Sequence, residues 1–81
     1  MINKQFSDRL NKELDNIGIP ARHDERVAAF AKLLKLSKFK AESFLYGTIL
    51  PDCAILNLIA NELEVSVDWL IGKSKERHKE H

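Results

Sequence analysis

Little in this chain can staple, kink or anchor it. Cysteine occurs once, at Cys53, so no disulfide can form within the chain and no cysteine cluster is present to hold structural zinc. Only two prolines and three glycines occur in 81 residues. Pro20, Pro51, Gly18, Gly47 and Gly72 fall between apolar stretches, where they punctuate the chain instead of interrupting a segment. Aromatic residues make up 7%. Aromatic and β-branched residues never alternate with polar ones over a strand length, which argues against a sheet. No apolar run approaches the ~20 residues that span a bilayer, and the opening MINKQFSDRL has no apolar core of signal-peptide type. Missing too are a nucleophile beside a base, a carboxylate pair, a glycine-rich phosphate loop and a cluster of metal ligands. The expectation is a soluble, cytoplasmic protein that is not an enzyme, uses no cofactor and holds no metal.

What is present reads as helices. An apolar fraction of 44% suits one small globule, with a modest core and a small stability margin. Phe6, Leu10, Leu14 and Ile17 recur at helical spacing and predict a first helix over Lys4 to Asn16, ended by Gly18 and Pro20. Asp24 is the expected cap of a second helix running through Lys35, with Val27, Phe30, Ala31 and Leu34 on its buried side. Ser37 is expected to cap a third helix, Lys38 to Tyr46, which Gly47 ends. A fourth begins at Pro51 or Asp52. Ile55, Leu56, Leu58, Ile59, Ala60 and Leu63 make it apolar on more than one face and predict a central position, with Cys53 partly buried and inert. Ser66 caps a short fifth helix whose Trp69 plugs one end of the core, a contribution to dimerisation being left open. The fold class is therefore all-α, with five helices in residues 1–72. The charged segment 73–81, with His78 and His81, is expected to be a disordered polar tail.

Charge is unevenly placed. The net charge is only +1, yet residues 22–40 carry six Lys and Arg against Asp24 and Glu25, and residues 41–71 carry no Lys or Arg. The cations thus concentrate on the second helix and the start of the third. These two helices, joined by a connection too short for anything but a sharp corner, have the outline of a helix-turn-helix, in which one helix reads DNA and the other braces it. Arg22, His23 and Arg26 at the start of the second helix add side-chain charge to a positive helix end, which suits phosphate. On a helical wheel Ala41, Phe44 and Leu45 face inward, Lys40 lies at the edge, and Lys38, Phe39, Glu42, Ser43 and Tyr46 face outward. In a major groove Lys can reach guanine, an aromatic can touch the thymine methyl, Ser can serve either base type, and Glu can accept from cytosine N4. Glu42 could instead pair with Lys38.

The five segments in order resemble the repressor-type helix-turn-helix domains of phage and bacterial regulators, the Cro/CI or XRE-like family. FSDRLNKELDNIGIP looks like the family's first helix and turn, FAKLLKLS like its LA-x-x-x-G-V-S segment, and FLYGTILP like its W-L-x-G-x-x-x-P segment. LEVSVDWLIG is the most specific piece, close to L-G-V-S-V-D-W-L-L-x-G. The resemblance implies sequence-specific binding to double-stranded DNA by a transcriptional regulator, most simply a repressor, acting as a homodimer. It implies base reading by Lys38, Phe39 and Ser43, with Lys40 and Glu42 touching base or backbone. Phosphate contacts are implied for Arg26, Ser37 and Tyr46, with Arg22, Lys35 and Thr48 expected beside them. The family's usual turn glycine is Lys35 here, so either the turn is remodelled or Lys35 takes a left-handed conformation. An antitoxin-like or other protein-interaction module on the same scaffold, docking through Phe39 and Tyr46, is the alternative.

Overall fold

Phe6, Leu10 and Leu14, one turn apart, put an apolar stripe on α1 (Lys4–Asn16), and all three are buried. The computed structural model describes residues 3–77. Four more helices follow: α2 (His23–Leu34), α3 (Lys38–Tyr46), α4 (Cys53–Leu63) and α5 (Val67–Leu70). The all-α, five-helix architecture agrees with the periodicity. α2 packs on α3, α1 packs on both α3 and α5, and α4 packs on α5. Their inward faces meet in one core that includes Phe30, Ala41, Phe44, Ile59, Val65 and Leu70.

One device ends all five helices. After each, a residue follows whose backbone N–H reaches five residues back: Ile19 to Leu14, Leu36 to Ala31, Thr48 to Ser43, Val65 to Ala60 and Lys73 to Asp68. The preceding residue must adopt positive φ, and Gly18, Gly47 and Gly72 do so without strain. Gly47 is required twice over, because a Cβ there would also lie 2.7 Å from the Asn3 carbonyl oxygen. The other two positions are Lys35 and Glu64, both at φ 56°. Lys35 therefore keeps the sharp corner and takes the left-handed conformation, and Glu64 does the same where sequence periodicity shows only a break. Lys35→Gly is expected to raise the unfolding free energy by about 0.5–1 kcal/mol, the relieved backbone strain exceeding the entropy of the glycine. Urea denaturation of the two proteins reads this directly.

Three sequence expectations change. The cap of α2 is Arg22, not Asp24: the Arg26 N–H donates to the Arg22 carbonyl and starts the helix at His23. Asp24 and Glu25 then lie in the first turn, where their charge suits the helix dipole. α4 buries a single face, made by Leu56, Ile59, Ala60 and Leu63. Leu58 is half exposed and Cys53 is exposed, so the helix is not central and the thiol is not buried. Residues 73–77 are not a free tail. The Ser66 N–H donates to the Arg77 carbonyl, the Ser66 hydroxyl to the Glu76 carbonyl, and the Arg77 guanidinium to both oxygens of Glu13. Arg9 joins this closure, its guanidinium 4.8 Å from the Trp69 ring centre and bonded to the carbonyls of Trp69 and Ser74. Residues 78–81, with His78 and His81, lie outside the described residues.

Candidate nucleic-acid interface

A corner of three residues, Lys35 to Ser37, sets α3 against α2. The Ser37 hydroxyl accepts from the Lys40 N–H at 3.2 Å, which fixes where α3 begins. Buried Ala31 on α2 and Ala41 on α3 keep the facing surfaces small, so the two helices can approach closely. With Ala41, Phe44 and Leu45 inward, Lys38, Phe39 and Lys40 stand outward on the first turn of α3. Phe39 is 71% exposed. Its ring is left mostly in water, although burying a phenylalanine is ordinarily favourable by about 1.5–3 kcal/mol.

Two of the sequence-selected residues point elsewhere. Ser43 is buried, and its hydroxyl donates to the Phe39 carbonyl at 2.9 Å, one turn back on the same helix. It cannot reach a base without leaving the core. Arg26 is also buried. Its guanidinium donates to the carbonyls of Asn11, Ile19 and Pro20, to the Asn11 side chain and to Asp15. All of its donor capacity is directed inward, so Arg26 joins α1, the 18–20 link and α2 and is not a phosphate ligand. The remaining expected contacts, Arg22, Lys35, Ser37, Tyr46 and Thr48, are all exposed. Five of the six cations in residues 22–40 are thus on the surface.

The structure adds His23, which the sequence reading gave only a share in a general anion site. Because α2 begins at His23, the imidazole faces α3. Its ring stacks on Tyr46, with centres 5.2 Å apart and planes within 5°. Its Nδ1 meets the Tyr46 hydroxyl, and its Nε2 lies 3.0 Å from Glu42 Oε2. Glu42 is therefore held from α2 and not by Lys38. Residues 19 and 23 positions apart carry no periodic signal for this grouping. Between the two helix starts lies a groove of about 420 Å³ lined by His23, Asp24, Val27, Lys38, Phe39 and Glu42. Its floor is apolar at Val27, its rim bears both signs of charge, and Phe39 stands at its edge.

No family model, curated protein or solved structure matches the chain. Among the described residues, no helix is long and apolar enough to cross a membrane, and no three His, Cys, Asp or Glu side chains gather as a metal site.

Proposed function

We propose that this chain binds double-stranded DNA sequence-specifically and regulates transcription, most simply as a repressor, with α3 as the reading helix of a helix-turn-helix. The observation that carries the reading is the outward first turn of α3. An exposed Phe39 stands between Lys38 and Lys40, on a helix braced from behind by α2. Lys38 and Phe39 are the base readers, with Lys40 and Glu42 beside them, and Arg22, Lys35, Ser37, Tyr46 and Thr48 meet the backbone. Two copies place their reading helices one DNA turn apart, ~34–36 Å, on a near-palindromic site.

Selection of bound sites from random duplex DNA at two salt concentrations tests this. The expected result is a two-fold symmetric site, with log K falling by ~0.9 per neutralised phosphate for each unit of log salt. Phe39→Ala and Lys38→Ala should each reduce discrimination between sites by ~1–3 kcal/mol. Equal loss on all sequences would demote the residue to a backbone contact. A second reading, a protein-interaction module in the same soluble fold, is favoured by the apolar exposure of Phe39, Ile49 and Leu50. It predicts a flat salt response and no enriched site.

A further inference from the structure

Glu42 is the one acid on the outward face of a helix proposed to approach a polyanion, and its carboxylate is not left free. We infer that His23 is a positioning residue for DNA reading: it fixes the Glu42 carboxylate and the Tyr46 ring on α3, and its protonation makes binding depend on pH. The inference rests on the DNA-binding reading above and adds a determinant of specificity to it.

The geometry gives His23 two handles on α3. Nε2 takes Glu42 Oε2 at 3.0 Å, and Nδ1 takes the Tyr46 hydroxyl, while the stacked rings fix the imidazole plane. A neutral imidazole fits this arrangement in one tautomer, donating from Nε2 to the carboxylate and accepting at Nδ1 from the phenol. The imidazolium fits as well, if the phenol turns to accept. Protonation therefore leaves the contacts in place and changes only the charge. With one carboxylate oxygen on His23, the other is left to accept from a ligand. A donor such as the cytosine amino group suits it. Without His23, Glu42 would sample rotamers and lose that selectivity.

The charged surroundings decide the sign. From α2 and its N-cap the neighbours are Arg22, Asp24 and Arg26, the last already occupied by Asp15 of α1. From α3 they are Lys38, Glu42 and Tyr46, and α1 contributes the uncharged Asn11. Lining the groove, two acids outnumber one lysine while His23 is neutral, and the charges balance once it is protonated. His23 and Glu42 are each about half exposed, at 45% and 47%, so in the free protein water screens the pair and it does little for stability. DNA over the groove removes that water, and the same charge then acts on a phosphate at lower effective dielectric. Binding should tighten as pH falls.

The experiment measures Kd of the full chain for its selected site by fluorescence anisotropy, from pH 8 to pH 5.5 at constant ionic strength. Wild type is expected to bind about 3- to 10-fold more tightly at the acid end, the ordinary scale for one added charge beside a partly screened phosphate. His23→Gln keeps a donor for Glu42 but cannot be charged, so it should retain the base preference opposite Glu42 and lose the acid gain. His23→Ala should lose both. Glu42→Gln should bind more tightly at pH 8 and respond less to acid. His23 is the group that differs between wild type and His23→Gln, so the difference between the two profiles reads its charge. A His23→Gln profile that overlays wild type overturns the inference and leaves the DNA-binding reading standing, as does a His23→Ala protein with unchanged base preference. Absence of DNA binding at every pH and sequence removes the reading itself, and the inference with it.

Discussion

Arg26→Ala is expected to lower the unfolding free energy by about 2–3 kcal/mol, the cost of losing a buried guanidinium and the hydrogen bonds it donates. The side chain, on α2, is 8% exposed and supplies bonds that end on α1 and on the link after it. The acceptors differ in what they lose. Asp15 is 60% exposed and returns to water when the guanidinium goes. The carbonyls of Ile19 and Pro20 belong to the turn that Arg26 itself closes, and each loses a charged donor that water only partly replaces. Asp15→Asn should therefore cost under about 1 kcal/mol, far less than Arg26→Ala. Arg26→Lys keeps the charge but lacks the planar fork that reaches several acceptors, and should recover only part of the loss. Domains of this size hold roughly 5 kcal/mol in total, so the alanine variant should lose about half of its margin. Urea denaturation separates this role from the one its place in the sequence suggests. A phosphate contact would leave the urea midpoint unchanged and weaken only DNA binding.

That misplacement shows where a sequence stops being readable. The periodicity of Phe6, Leu10 and Leu14 located α1, and Ser37 and Gly47 located both ends of α3, because those signals are local. Arg26 carries the same charge whether it faces water or five acceptors. Most of those acceptors are backbone carbonyls, which have no residue signature. Ser43 fell on the outward half of the wheel, but a short side chain on a helix can bond its own backbone and stay buried. Leu58 failed the other way: an apolar residue in a run of apolar residues looks internal until the neighbouring helices leave that side open. The His23–Glu42–Tyr46 grouping depends on α2 starting one residue before its acidic pair. Helix starts are the least certain thing periodicity gives. At the proposed interface, Lys38 and Phe39 were legible, since an aromatic opposite Ala41, Phe44 and Leu45 has no core to enter. The contact that disciplines Glu42 was not.

The second large effect lies at the other end of the chain. Arg77→Ala should cost about 3 kcal/mol, although Arg77 sits in a segment that composition alone marks as solvated. The cause is Glu13. Its side chain is 1% exposed, on the apolar face of α1 between Leu10 and Leu14, and both of its oxygens accept from Arg77. A carboxylate in that position is tolerated only while it is paired. The cost is no larger because Arg77 is 38% exposed and water can partly replace it. The hydrogen bond that Arg77 donates to Glu13, offset in part by burial, holds the Arg77 pKa above its already high ordinary value. Stability from a raised pKa is present below the unfolded value and lost only as pH climbs past it, so no usable alkaline pH breaks this pair. The deciding measurement is a double-mutant cycle in urea. Glu13→Met removes the buried charge, and in that background Arg77→Ala should cost under about 1 kcal/mol, since nothing is left stranded. Equal cost in both backgrounds would mean that residues 73–77 act through Ser66 and Arg9 and not through Glu13. A single buried acid on an otherwise apolar stripe is thus what obliges a charged segment to fold back onto α1.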